Sequence, residues 1–147
     1  MFRNILVPTD GSALSRKAVK KAVALAKKTG ARVTGFHVTP SYKFNVYADY
    51  IPPDFLIPRQ YEALQKKVAA RHLEVIRKEC RSAGVKCATW FVSSDFPADD
   101  IIKAARKYKC DLIAMASHGR RGFSKLLLGS ETQKVLAGTN VAVLVLR

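Results

Sequence analysis

The chain has 147 residues, 48% of them hydrophobic and 25% charged, with a formal net charge of +15. That length suits a single well-buried domain of roughly 100–150 residues, and no apolar run approaches the roughly 20 residues of a bilayer-spanning helix, which excludes a membrane protein of that kind. An excess of Lys and Arg invites a nucleic-acid reading through counterion release, but the cations are spread over every segment, with Lys17, Lys20, Lys21, Lys27 and Lys28 along one helix face, and without a nucleic-acid motif that partner is not expected.

The opening, MFRNILVPTDGS, carries an apolar burst of about four residues rather than the roughly 7–15 of a secretory signal, so export is not expected. Ile5 to Pro8 predicts a strand and residues 13–29 a helix. Ser12 caps that helix, Ala18, Val19, Ala22 and Leu25 form its buried side, and Gly30 ends it in the left-handed conformation. Val33 to Val38 is a second strand. Residues 39–58, TPSYKFNVYADYIPPDFLIP, hold four prolines and five aromatics with neither helical nor strand period, and read as a long crossover loop of the kind that often carries function.

The next helix runs from about Arg59 to Ala83, with Leu64, Val68, Val75, Ile76 and Cys80 on one stripe and Gly84 at its end. His72 shares the stripe, and among apolar neighbours it reads as a packed side chain rather than a ligand. KCATWFV, residues 86–92, is a third strand. Pro97, Asp99 and Asp100 suit the first turn of a helix. Leu112 to Ala116 is a fourth strand, Glu131 to Ala137 a short helix, and Val141 to Leu146 a final apolar strand. Continuous hydrophobic strands alternating with helices need cover on both faces, which argues for a parallel sheet between two helical layers with right-handed crossovers. Cys80, Cys87 and Cys110 make no CxxC pair and no zinc spacing with His37, His72 or His118, and their odd number leaves one unpaired, so a reduced cytoplasm is the expected location.

In a doubly wound sheet, ligands bind beyond the carboxyl ends of the strands where the winding reverses. Two unusual loops leave such ends: Pro8-Thr9-Asp10-Gly11-Ser12 and Ser117-His118-Gly119. They meet only if strands one and four are neighbours, which gives a five-stranded α/β fold, Rossmann-like or flavodoxin-like, of order 3-2-1-4-5 with helices on both faces. Gly119 and Gly122 permit positive φ and close backbone approach, so their loop can turn N–H groups toward an anion. Gly129-Ser130 opens the last helix, where Ser130 and Gln133 have capping-box spacing and the free N–H groups favour phosphate. Arg120, Arg121 and Lys125 can screen its charge. Each residue also has a purely structural reading: Gly119 relieves a turn, Ser130 caps, Asp10 binds nearby N–H groups.

Taken together, NILVPTDGS, GFHV, CDLIAMASHG, LLLGS and the closing VAVLVL resemble the universal stress protein family from end to end. Its nucleotide-binding branch is marked by G-x2-G-x9-G-[ST], which aligns here as Ala116-x2-Gly119-x9-Gly129-Ser130, with alanine for the first glycine and Gly122 as an extra glycine in the spacer. The resemblance implies binding of ATP, with ADP or AMP as alternatives. It puts phosphates over Gly119, Gly129, Ser130 and the backbone of Glu131, ribose near Asp10, adenine beside Val38, and Pro8 and Thr9 in the wall. Magnesium held by Asp10 would bridge the phosphates. The methyl of Ala116 is accommodated where the backbone is extended and obstructs a ligand where φ must be positive or the approach is very close.

Catalysis needs a positioned base, nucleophile or metal. Ser117 and His118 have no evident third residue to orient them, so His118 reads as loop-shaping and slow ATP turnover is the most that is expected. The expected role is a nucleotide-responsive binding protein of the stress response, in which ligand biases residues 39–58 or a dimer contact and so alters affinity for a further protein partner. Val141, Ala142, Val143, Leu144 and Val145, on an unpaired edge strand, predict a homodimer through antiparallel pairing. Alternatives are a nucleotide-free interaction module, or an enzyme or nucleic-acid binder on the same fold; FMN is a weaker option, since the winding alone does not specify a ligand.

Overall fold

A computed structural model describes residues 1–43, 51, 55–119 and 127–147 of the chain. The elements run β1 (Asn4–Pro8), α1 (Ala13–Thr29), β2 (Arg32–Thr39), α2 (Pro58–Ala83), β3 (Cys87–Ser93), α3 (Pro97–Lys107), β4 (Leu112–Ala116), α4 (Ser130–Gly138) and β5 (Ala142–Leu146). All pairings are parallel, and the sheet order is β3-β2-β1-β4-β5. This is the doubly wound arrangement that the alternating pattern predicts, with the winding reversing between β1 and β4.

Helix α1 forms where the sequence supplies both ends. Ser12 Oγ accepts from Ser15 N at 3.1 Å, and Gly30, at φ 73°, closes the last turn in the left-handed region, where glycine has no Cβ to clash. Ala18, Val19, Ala22, Val23 and Ala26 are buried against the sheet, whereas Leu25 is half-buried at the margin of the same core.

In α2 the buried stripe differs from the predicted one. Ala69, Leu73, Ile76 and Cys80 are buried, while Leu64 is exposed and Val68 and Val75 are only half-buried. The reason is close approach to β2: a Cβ at Gly35 would stand 3.0 Å from Ile76 Cδ1. Ile76 sits in the gap left by that missing side chain, and with it facing the sheet the aliphatics at 64, 68 and 75 fall toward the margin.

Two apolar cores lie on opposite faces of the sheet. One joins Ile5, Val7, Val33, Leu112 and Ala114 to α1 and α2. The other joins Leu6, Phe36, Ile113 and Met115 to α3 and Val135 of α4. Alternation along each strand assigns successive residues to opposite cores. Burial on both faces holds for the inner strands and fails at the edges. Trp90 and Phe91 of β3 are exposed at 48% and 40%, and Ala142 of β5 is exposed while the rest of that strand is half-buried.

Candidate nucleotide-binding site

The carboxyl ends of β1 and β4 bring the two polar loops together. A Cβ built on Gly119 would lie 2.7 Å from Asp10 Oδ2, so the segment after β4 runs directly against the side chain that follows β1. Gly129, on the approach to α4, joins them: its N donates to Ser117 O at 2.7 Å, and a Cβ there would stand 3.2 Å from His118 Cα. Three chain segments, around residues 10, 118 and 129, therefore share one corner above the sheet, at the point where the winding reverses.

The loop after β1 is built by its own hydrogen bonds. Thr9 N donates to Phe36 O at 2.9 Å and extends the β1–β2 pairing past Pro8. Thr9 Oγ1 accepts from Gly11 N at 3.2 Å and lies 3.0 Å from Ser15 Oγ. Asp10 Oδ1 accepts from Ser12 N at 2.9 Å, a turn that presents the other carboxylate oxygen toward Gly119. Gly11 has φ 79°, and a Cβ there would collide with the imidazole of His72, so this glycine is required by both conformation and space.

His72 is held edge-to-face against His37, with ring centroids 4.8 Å apart, and His37 Nδ1 lies 2.7 Å from the carbonyl oxygen of Thr9. The expectation that His72 is packed rather than ligating agrees with this contact. His37 was not among the predicted site residues, although it buttresses the first loop from below. Its signal was weak: a histidine inside an apolar strand, near the carboxyl end where the loops meet.

At the second loop, Ser117 and His118 are both buried. Ser117 N donates to Leu146 O at 3.0 Å, and Ser117 Oγ is 3.0 Å from His118 Nδ1. His118 Nε2 makes no hydrogen bond among the described residues. Ala116 ends β4 in extended backbone without a positive φ, and its carbonyl accepts from Thr132 Oγ1 at 3.0 Å. At this position the backbone never demanded a glycine conformation. Gly119 likewise has no positive φ; close approach to Asp10 is what excludes a side chain there.

The last helix opens differently from the capping-box expectation. Gly129 is its N-cap, with no side-chain cap, and Ser130 is the first helical residue, exposed at the helix start. Gln133 Nε2 donates instead to Leu128 O at 2.7 Å. Ser130 remains at a helix N-terminus, where main-chain N–H groups and the dipole favour an anion. The Glu131 carboxylate is used elsewhere, its Oε2 accepting from Ala98 N at 3.0 Å and so capping α3. Pro8 ends β1, and half-buried Val38 lies near the carboxyl end of β2 beside the α3 core. Arg120, Arg121, Gly122 and Lys125 lie outside the described residues.

The fold and this corner define a doubly wound α/β domain whose switch point gathers bare main chain, one carboxylate and one buried imidazole. The model of the universal stress protein family matches residues 1–147, and the chain belongs to that family. A universal stress protein of Bacillus subtilis is 31% identical over 153 residues, covering 100% of both chains. Another, of Methanocaldococcus jannaschii, is 30% identical over 152 residues, covering 100% of this chain and 83% of the relative. Among solved structures, the universal stress protein UspA of Lactobacillus plantarum superposes with a TM-score of 0.77 at 25% identity, covering 99% of this chain and 97% of that one. A universal stress protein in complex with cAMP gives 0.73 at 20% identity, with 99% and 97% covered. An Arabidopsis thaliana member with AMP bound gives 0.68 at 17% identity, with 98% and 90% covered.

Proposed function

We propose that this chain belongs to the nucleotide-binding branch of its family and acts as an adenine-nucleotide-responsive regulatory protein, with ATP as its ligand in the crevice between the loops after β1 and β4. The observation that carries this reading is the approach of Gly119 to Asp10 Oδ2, at 2.7 Å from the position of a Cβ, with Gly129 bonded to Ser117 in the same corner. Main chain free of side chains at 119 and 129 lets a phosphate come within hydrogen-bond reach of N–H groups, and the α4 N-terminus adds its dipole. The solved relatives with AMP and cAMP support the ligand class.

Within this reading, the phosphates lie over Gly119, Gly129, Ser130 and the backbone of Glu131. Asp10 meets the ribose or a magnesium ion; a single carboxylate together with phosphate oxygens is the usual manner of holding that ion. Pro8, Thr9 and Val38 form the adenine wall. The extended backbone at Ala116 removes the conformational need for glycine there. His118 shapes the loop through Ser117 and offers Nε2 to the ligand. Bound nucleotide then biases the chain toward one partner-binding state, by as much as its differential affinity for the two states allows. The edge strand β5, with Val143, Leu144 and Val145 half-buried beside Val141 and exposed Ala142, supports an isologous homodimer through antiparallel pairing.

Calorimetric titration of ATP and AMP, with and without magnesium, tests the reading. Saturable heat is expected for the native chain. Gly119→Val is expected to weaken binding by at least about tenfold, or 1.4 kcal/mol, because its side chain meets Asp10 where the phosphate must come close. Affinity unchanged by that substitution contradicts the site. Light scattering tests the dimer, for which a strict monomer at tens of micromolar is the contrary result.

A further inference from the structure

The corner between α2 and β3 lies at the amino-terminal edge of the sheet, away from the crevice, and carries chemistry that nucleotide binding does not use. Cys80 stands in the last turn of α2 and is buried in the core, whereas Cys87 is the first residue of β3 and is exposed. Gly84, at φ 70°, reverses the chain between them, and Val85 N donates to Cys80 O at 2.9 Å. Pairing of Cys87 with Val33 of β2 then fixes the start of the strand under the helix end. Register then places Cys87 on the same face of the sheet as Val33, whose side chain shares a core with Cys80, so the two cysteines meet at one corner across the turn at Gly84.

The surroundings are cationic and ordered. Arg77 Nη1 donates to Thr89 Oγ1 at 2.7 Å, two residues along β3 and therefore on the same face as Cys87. Arg77 and Arg81 both bond the carboxylate of Glu74, which holds the two guanidiniums at this corner. The hydrogen bond from Cys80 draws the Cys87 thiol below its ordinary value against the opposing push of burial, and Arg77 and Arg81 add to the fall. The same contact pushes Cys80 upward, with burial and then the charges of Cys87 and Glu79 acting in that direction. The exposed sulfur is the one favoured as thiolate, the form that attacks a peroxide oxygen.

We propose that Cys80 and Cys87 form a peroxide-reactive dithiol, in which exposed Cys87 attacks a hydroperoxide and buried Cys80 resolves the product to an intramolecular disulfide. In the first step Cys87 Sγ forms a bond to one peroxide oxygen as the O–O bond breaks. The other oxygen leaves and takes a proton from solvent, as water when the oxidant is hydrogen peroxide, and Cys87 becomes a sulfenic acid. In the second step Cys80 Sγ attacks the Cys87 sulfur. The S–O bond breaks, and the leaving hydroxide combines with the proton from Cys80 as a second water. Two thiols lose two electrons in total, the peroxide gains them, and a small-molecule dithiol returns the pair to its starting state. This assignment is independent of the nucleotide reading, and failure of either leaves the other standing.

The test uses the whole reduced chain, treated with a small excess of hydrogen peroxide, digested with trypsin without reduction and weighed by mass spectrometry. The expected product is a disulfide joining the peptides 79–81 and 87–103, lighter by two hydrogens than their sum and lost on treatment with dithiothreitol. Cys80→Ser should stop at a Cys87 sulfenic acid that dimedone captures, while buried Cys110 stays unmodified as an internal control. Absence of the linked peptides, or cross-linking of Cys87 only between two chains, overturns the proposal. Because substitution of buried Cys80 can itself disturb folding, alkylation of the native chain supplies a second criterion. Cys87 should react with iodoacetamide at neutral pH about fivefold faster in the folded than in the denatured protein, as a favoured thiolate does; an equal or slower folded rate overturns the assignment.

Discussion

The two ends of β1 and β4 treat their polar groups in opposite ways. At the amino ends, side chains tie the strand starts together: Asp111 accepts from Arg3 N at 2.8 Å and Asn4 N at 3.0 Å, Asn4 Nδ2 donates to Tyr108 O at 2.9 Å, and Thr34 Oγ1 donates to Asn4 Oδ1 at 2.9 Å. At the carboxyl ends the segments meet through bare main chain instead. Gly119 and Gly129 bring main chain to main chain or to a carboxylate, and the imidazole of His118 keeps a buried nitrogen without a protein partner among the described residues. One end is tied by its own side chains; the other, in the proposed reading, is where a nucleotide meets main chain and the His118 nitrogen. In a sheet of this winding only the second kind of end gains from a ligand.

Substitutions that separate stability from binding sharpen that contrast. The largest effect is expected for Asn4→Ala, which removes two side-chain hydrogen bonds from a residue that is 4% exposed and strands the partners on Thr34 and Tyr108. Denaturant unfolding should show a loss of about 2–4 kcal/mol, with ATP affinity unchanged within about twofold. Asp10→Ala reverses the pattern: Mg-ATP affinity should fall by about tenfold, worth 1.4 kcal/mol, a larger effect on binding than Asn4→Ala has. If Asn4→Ala weakens binding as much as Asp10→Ala does, the division between the two ends fails.

The smallest effect concerns pH and belongs to the cationic corner beside the thiols. Hydrogen bonds from Arg81 and Arg77 lower the Glu74 carboxyl from the ordinary 4.5 to about 2. A folded-state value below the unfolded one stabilises the native chain fully above about 4.5 and ceases to do so as the pH falls toward 2. Carboxyl NMR titration should give a Glu74 midpoint near 2 in the native chain and an ordinary one in Arg81→Ala; a midpoint near 4.5 in the native chain would mean that the guanidiniums are not held there.

Much of this arrangement was legible in the chain itself. Apolar runs of strand length between helical segments imply the parallel sheet, and the demand that the PTDGS and SHG loops meet led to the order 3-2-1-4-5. Other features depend on contacts that no local pattern carries. Of the α2 stripe, Ile76 and Cys80 are buried as expected, whereas Leu64, Val68 and Val75 fall toward the margin because the helix meets the bare backbone of Gly35 through Ile76. KCATWFV was read as covered on both faces because of its apolar content, although its place at the end of the order already made it an edge. His37 under Thr9 and His72 beside Gly11 come together from three separate elements. The cysteine pair was hidden for a similar reason: Cys80 and Cys87 fit no spacing motif, and the reversal at Gly84 brings them to one corner.

Amide NMR during titration with ATP addresses the central claim most directly, because both ends of the same strands are read in one experiment. The account predicts saturable shifts at Asp10, Gly11, His118, Gly119, Gly129, Ser130 and Glu131, with Arg3, Asn4 and Asp111 unmoved. Shifts centred on the amino ends, or none at millimolar nucleotide, would contradict it.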